Sequence, residues 1–93
     1  MSRDELMQAY DRRLYKDSYS DESETIGIDD EYSLWVCLDN NGDDGWEFFV
    51  ELNYVNENDV MEACGRYNLT IPCSATYAEF VGEIEGYLIE SGF

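Results

Sequence analysis

The sequence contains no histidine, only five lysines and arginines in total, and a single proline in 93 residues. Without histidine, catalysis by a histidine acid–base group and by Cys–His or Ser–His nucleophile pairs is excluded. The scarcity of basic residues disfavours direct binding to DNA, RNA or an anionic membrane, each of which attracts lysine and arginine. The sequence also lacks a P-loop and a Gly-x-Gly-x-x-Gly motif. We therefore predict that the protein is not an enzyme and uses no cofactor.

Long apolar runs and paired cysteine motifs are also missing. No apolar run approaches the ~18 residues of a membrane span. The sequence begins without a signal peptide, and its cysteines, which are odd in number and form no Cys-x-x-Cys motif, are Cys37, Cys64 and Cys73. This pattern predicts a cytoplasmic protein with free, mostly buried thiols.

The sequence is rich in negative charge. Aspartate and glutamate number 22, and the formal net charge is −17. Residues 1–17 are neutral overall, so the net charge belongs to residues 18–93, where Arg66 is the one basic residue. A small domain needs a net charge of only about 2–8 for solubility, and a larger charge destabilises it by self-repulsion. Because 44% of the residues are hydrophobic and 15% are aromatic, the chain is too apolar to be a disordered acidic tail.

Three segments have the periodicity of helices. Residues 3–16 are amphipathic and follow a capping-box pattern. A second helix is predicted to carry the apolar residues of 60–67, and a third to span 77–90. The third begins with another capping box, in which Thr76 precedes Glu79 by three residues.

Two other segments alternate between apolar and polar residues, which is the pattern of β-strands. They predict a β-hairpin over 32–55, joined by the turn sequence NNGDDG. Residues 25–28 could add a short edge strand. We therefore expect one α+β domain over residues 1–93, in which an antiparallel sheet of two or three strands packs with three helices.

The loop of this hairpin resembles a calcium-binding loop only in part. If an EF-hand loop began at Asp39, Asp44 would occupy its glycine position and Val50 its final glutamate position. If it began at Asn40, Gly42 would occupy a ligand position. The flanking segments have strand periodicity, whereas an EF-hand needs helices. We therefore interpret the segment as a polar hairpin loop, with a weak divalent-metal site as an alternative.

Three groups of acidic residues are the candidate partner-binding residues. Carboxylates four residues apart on a helix lie ~5–6 Å from each other, and alternate residues of a strand ~6.6 Å. Phosphates along a nucleic-acid strand have comparable separations. The groups are the hairpin acids (Asp39, Asp43, Asp44, Glu47 and Glu51), the helix acids (Glu79, Glu83 and Glu90) and the turn acids (Asp29, Asp30 and Glu31).

Two aromatic residues, Trp35 and Phe49, fall on the hairpin face opposite the main apolar positions. If that face is exposed, they would anchor a partner among the acids. The interpretation we favour is that helices cover both faces of the sheet, so that both residues belong to the core.

The charge pattern predicts a binding protein whose partner is basic. In size, charge and compact α+β pattern the chain resembles acidic inhibitors from phages and plasmids that block restriction enzymes or CRISPR nucleases, and acidic immunity proteins that inhibit toxic nucleases. That resemblance implies a DNA-mimic inhibitor that occupies the basic nucleic-acid site of a nuclease or other nucleic-acid-binding protein. The alternative is an acidic interaction or adaptor domain without mimicry, with its charge serving solubility or reflecting a saline habitat.

Overall fold

A computed structural model describes residues 3–14, 23–40, 45–55, 57–64 and 68–93. Within these ranges the chain forms two α-helices and five β-strands. In chain order they are α1 (Arg3–Asp11), β1 (Glu24–Gly27), β2 (Tyr32–Asn40), β3 (Trp46–Val55), β4 (Met61–Ala63), β5 (Leu69–Pro72) and α2 (Tyr77–Glu90).

The five strands form one antiparallel sheet in which β1 pairs with β2 and β2 pairs with β3. The predicted hairpin is present, and its register places Asp39 opposite Glu47 and Tyr32 opposite Tyr54. Both β4 and β5 pair with the other edge of β3, one after the other along its length. The sheet therefore has β1 at one edge and the β4 and β5 segments at the other.

The predicted fold, with three helices and two or three strands, is wrong. Within 60–64, which is the described part of the second predicted helix, the chain forms strand β4 instead, and β5 follows from Leu69. Two features explain the difference. Leu69 and Ile71 alternate with polar or exposed residues in the manner of a strand. The outer edge of β3 also has backbone groups that need partners, and pairing with β4 and β5 supplies them.

One face of the sheet carries the hydrophobic core, and both helices pack on it. The even-numbered residues of β1, β2 and β3 point to this face because strand side chains alternate. Tyr10 of α1 and Phe80 of α2 both pack against Phe48 of β3, with ring centroids 5.9 and 4.8 Å away. The buried core residues are Leu6, Ala9, Tyr10, Ile26, Leu34, Val36, Leu38, Phe48, Val50, Leu52, Leu69, Ile71, Phe80, Ile84, Tyr87 and Leu88.

The ends of α2 are fixed by local hydrogen bonds. At its start, Thr76 accepts from the backbone N–H of Glu79, and the Glu79 carboxylate accepts from the N–H of Thr76, as the capping-box pattern predicts. At its end, Phe93 donates its N–H to the Leu88 carbonyl in a Schellman motif. Gly92 has φ +99°, which glycine adopts without strain.

On the edge of β3 between β4 and β5, one backbone N–H group forms its hydrogen bond with a side chain instead of a strand. Cys64 donates its backbone N–H to the Leu52 carbonyl, which continues the β4 ladder by one bond. The reciprocal position is taken by Tyr87 of α2, whose hydroxyl accepts from the Leu52 N–H at 3.2 Å. This bond attaches α2 to the sheet. Within the described ranges, no helix is long and apolar enough to cross a membrane.

Candidate partner-binding surface

The second face of the sheet, called the open face below, carries the odd-numbered residues of β2 and β3. Both helices pack on the opposite face, so neither covers it. The prediction that Trp35 and Phe49 are core residues beneath helices is therefore wrong. The open-face residues of β2 and β3 used below are Ser33, Trp35, Cys37, Asp39, Glu47, Phe49, Glu51 and Asn53.

Trp35 and Phe49 form an aromatic pair in the middle of the open face. Their ring centroids are 6.1 Å apart and their planes meet at 78°, an edge-to-face arrangement. Both residues are partly exposed. The indole N–H of Trp35 donates to the hydroxyl of Ser23, which fixes the orientation of the indole. The pair is therefore an ordered apolar contact point on a face that neither α1 nor α2 covers.

Three hairpin acids surround this pair. Asp39 and Glu47 are direct cross-strand partners, and Glu51 is the cross-strand partner of Trp35. Like charges directly opposite each other destabilise a strand pair. In the described part of the chain, none of these three carboxylates forms an ion pair. Repulsion between these carboxylates therefore destabilises the hairpin, although the fold does not require them.

The nearby carboxylates affect the pKa of the Cys37 thiol. It lies on the open face opposite Phe49. Burial raises the pKa of Cys37, and the carboxylates of Asp39 and Glu51 raise it further. Cys37 is consequently a neutral thiol at physiological pH. None of the three cysteines forms a disulfide, as predicted, but the prediction that they are mostly buried is wrong, because Cys64 is exposed and Cys37 and Cys73 are half-buried.

The helix acids lie along the side of α2 that faces β5. Glu79 and Glu83 line one groove together with Thr70 and Pro72 of β5. Glu83 also lines the next groove, together with Glu90 and Leu69. The helical spacing of these residues thus places all three beside the same strand.

Strand β5 separates the helix acids from the hairpin acids. Pro72 and Thr70 pair with Glu47 and Phe49, so β5 lies directly beside β3, at a strand spacing of ~4.8 Å. No residue of β5 is charged. Two of the predicted groups therefore flank the β5 edge of the sheet: Asp39, Glu47 and Glu51 lie on the open face, and Glu79, Glu83 and Glu90 lie on the helix that packs on the opposite face. Together these six residues are called the acidic surface below.

The turn acids do not join the hairpin acids. They lie in the β1–β2 turn, which is separated from the hairpin loop by the length of β2, about 30 Å, and from Trp35, the cross-strand partner of Glu51, by four residues, about 13 Å. The carboxylate of Asp29 accepts the backbone N–H groups of Glu31 and Tyr32, both at 2.8 Å, so it has a structural role in the turn. Asp30 and Glu31 are exposed there.

Glu79 also has a structural role. Its carboxylate accepts the N–H of Thr76, and this hydrogen bond is the main cause of its lowered pKa. The charge of Glu79 is therefore held in place at the start of α2. Of the helix acids, Glu83 is exposed and has no such bond within the described residues.

Two of the hairpin acids, Asp43 and Asp44, lie outside the described residues, and so does most of the loop considered as a metal site. Among the residues that are described, no group of three or more His, Cys, Asp or Glu side chains could hold a metal ion.

The basic residues with described positions are all near α1, at the β1 edge of the sheet. Arg12 forms an ion pair with Glu24. Arg13 donates to the Tyr10 carbonyl and stacks on the Tyr10 ring at 3.8 Å. Arg3 lines a groove between α1 and α2. None of these three arginines is located on the acidic surface.

The sequence did not lead us to predict that β5 contributes to this surface. Thr70 and Pro72 are exposed between the two acidic groups. Cys73 donates its backbone N–H to the Trp46 carbonyl, so these two residues are a hydrogen-bonded pair of the antiparallel ladder. Hydrogen-bonded and non-hydrogen-bonded pairs alternate along such a ladder, so the backbone polar groups of Thr70 and Pro72 point away from β3. Pro72 has no N–H and its carbonyl accepts from Ala75. The alternation of Leu69 and Ile71 was the signal for this strand.

Comparison with protein-family models, with curated protein sequences and with solved structures gave no match to this chain.

Proposed function

We propose that this protein is a cytoplasmic inhibitor that binds the basic nucleic-acid site of a nuclease or other nucleic-acid-binding protein. The observation that carries the proposal is the acidic surface on both sides of β5. It places carboxylates of β2 and β3 on the open face and carboxylates of α2 on the opposite face, both next to the β5 edge, whereas the arginines with described positions lie at the β1 edge.

The spacing of these carboxylates suits a site that binds a phosphate chain. Glu47 and Glu51 are four residues apart on one face of β3, and each is separated from Phe49 by one residue. Same-face residues repeat every ~6.6 Å along a strand, so Glu47 and Glu51 lie about 13 Å apart, or two repeats, whereas Glu79 and Glu83 lie ~5–6 Å apart on α2. A rigid sheet and helix hold these carboxylates in fixed positions. A basic groove would therefore gain several charge contacts without ordering a flexible chain.

Electrostatics would also speed the encounter. Complementary potentials steer association and raise its rate at low ionic strength. The binding should weaken as salt screens the charges. An adaptor domain without mimicry is the second candidate, and the partly exposed Trp35–Phe49 pair is the observation that favours it, because exposed aromatic pairs serve many protein interfaces.

The two candidates differ in whether nucleic acid competes with the protein for its partner. The immobilised protein is incubated with bacterial lysate, and bound proteins are eluted with duplex DNA or RNA at constant ionic strength. Each eluted protein is then purified, and its nucleic-acid binding is measured with and without the acidic protein. The proposal expects a nucleic-acid-binding protein that is released by nucleic acid and is inhibited in the purified assay.

A pair of charge-reversal variants gives the control. Glu47→Lys with Glu51→Lys changes the acidic surface, and it should abolish inhibition. Glu57→Lys with Glu85→Lys changes the net charge equally at exposed positions away from this surface, and it should retain inhibition. If both variants lose inhibition equally, net charge alone is responsible. Partners that nucleic acid does not displace would favour the adaptor function instead.

A further inference from the structure

We propose that the open face receives an arginine side chain of the partner, with the guanidinium group stacked on the Trp35–Phe49 pair. This inference rests on the proposed function and identifies the chemistry of the partner more narrowly. A surface of carboxylates alone attracts lysine and arginine in nearly the same way. The aromatic pair makes the open face selective between them.

The aromatic pair has the geometry of a cation-binding site. Trp35 and Phe49 are partly exposed and meet edge to face on the open face of the sheet. Tryptophan has the strongest cation–π attraction of the aromatic residues, and arginine is the cation that most often occupies such sites. The hydrogen bond from the Trp35 indole to Ser23 holds the ring in place before a partner arrives.

Carboxylates flank the pair at the distance of one strand repeat. Glu47 and Glu51 lie on the same face as Phe49, one on each side of it along β3, ~6.6 Å away. A guanidinium stacked on the rings can therefore donate to a carboxylate at its edge. Arginine is suited to this double contact because it is planar and weakly hydrated. The lysine ammonium is a compact and strongly hydrated charge.

The hydroxyl of Ser33 is a second observation that points to a hydrogen-bond donor supplied by a partner. Ser33 lies on the open face two residues before Trp35, and its residue exposure is 9%. Its Oγ is buried and has no hydrogen-bond partner among the described residues. Buried polar groups are rarely left without a partner, because the unmade bond destabilises the protein. A partner arginine, which carries five N–H donors, would supply this donor if the side chains that cover the Ser33 Oγ moved aside on binding.

The test uses oligoarginine and oligolysine peptides of equal length as probes. Each is titrated into the protein at the same ionic strength, and the dissociation constants are measured by calorimetry. We expect oligoarginine to bind about two- to fivefold more tightly. The indole N–H resonance of Trp35, assigned with Trp35→Phe, should shift more with oligoarginine than with oligolysine.

The selectivity should depend on the aromatic pair. In Trp35→Leu and Phe49→Leu the ratio of the two dissociation constants should fall towards one, while oligolysine affinity stays nearly constant. Phe93→Leu is the matched control, because Phe93 is an exposed aromatic residue that packs on Tyr32. It should retain the wild-type ratio. If Trp35→Leu does not fold, Trp35→Phe and Phe49→Leu still provide the comparison.

Equal affinity for the two peptides would overturn the inference, and so would a preference that survives both leucine variants. The proposed function fails separately. Its test is competition by nucleic acid and loss of inhibition in the Glu47→Lys and Glu51→Lys variant. An arginine preference without such a partner would leave the open face as an arginine-binding surface with another use.

Discussion

The hydroxyl of Tyr87 accepts the backbone N–H of Leu52 between the segments of β3 that pair with β4 and β5. A residue of the last helix thereby completes a hydrogen-bond ladder that the short strands leave open. Tyr87 is almost fully buried, and Leu52 belongs to the core. The packing of α2 and the integrity of the outer sheet edge are therefore coupled through one oxygen atom.

Replacement of this oxygen should destabilise the protein. In Tyr87→Phe the ring remains, but the Leu52 N–H loses its partner in a buried position, which costs about 1–3 kcal/mol. The free energy of unfolding, measured with guanidinium chloride, should fall by this amount, and amide exchange at Leu52 should accelerate. Tyr54→Phe removes a hydroxyl that donates to Glu62 in an exposed place, so a much smaller loss is expected. Equal losses in the two variants would contradict this role of Tyr87.

The contribution of Tyr87 to stability should also depend on pH in the alkaline range. Burial raises the pKa of Tyr87 above its usual value, which is about 10 in an unfolded chain. As the pH rises, the Tyr87 hydroxyl therefore loses its proton at a lower pH in the unfolded state than in the folded state. The contribution of Tyr87 to the free energy of unfolding is complete below about pH 10 and is lost as the pH rises through its folded-state pKa. Unfolding measured from about pH 8 to pH 11 should show a smaller decline for Tyr87→Phe than for the wild type. An identical decline would mean that Tyr87 titrates alike in both states.

Two glycines within α2 should be replaceable with a gain in stability. A Cβ at Gly82 or Gly86 would meet no atom of the described residues within 4 Å. Alanine at either position should raise the free energy of unfolding by about 0.5–1 kcal/mol. Gly92→Ala is the opposite control, because φ is +99° there, and it should lower stability by about 1 kcal/mol. A loss of stability in Gly82→Ala or Gly86→Ala would show that this helix side is packed.

The facing carboxylates of Asp39 and Glu47 should be measurably unfavourable. Asp39→Lys converts a like-charge cross-strand pair into an attractive one, and we expect a gain of about 0.2–1 kcal/mol at low salt. Added salt should reduce the gain by screening the charges. Glu57→Lys makes the same change in net charge without a facing carboxylate, and it should gain less. Equal gains would attribute the effect to net charge instead of the pair.

The hairpin and α2 could be predicted because their signals are local. The alternation in β2 and β3 and the capping box at Thr76 and Glu79 determine structure within a few residues. The segment 60–72 could not be predicted in the same way. Its apolar residues fit a short helix, but the outer edge of β3 offers unpaired backbone groups, and this long-range requirement selects strands β4 and β5.

The acidic surface was likewise predictable only in part. The sequence separates the hairpin acids from the helix acids by more than twenty residues, and it does not indicate that β5 lies between them. Nor does it indicate that Asp29 and Glu79 use their carboxylates in local hydrogen bonds. The exposure of Trp35 and Phe49 depends on both helices packing on the same face, which strand alternation alone does not determine.

The location of the arginines has a consequence for the approach to a partner. Residues 3–14 carry equal numbers of acidic and basic side chains at the β1 edge, whereas the acidic surface lies at the β5 edge. The described basic residues and the acidic surface therefore lie at opposite edges of the sheet, and these charges contribute an electric moment directed across it. In the field of a basic groove this moment produces a torque. The protein should rotate its β5 edge towards the groove before any side chains touch.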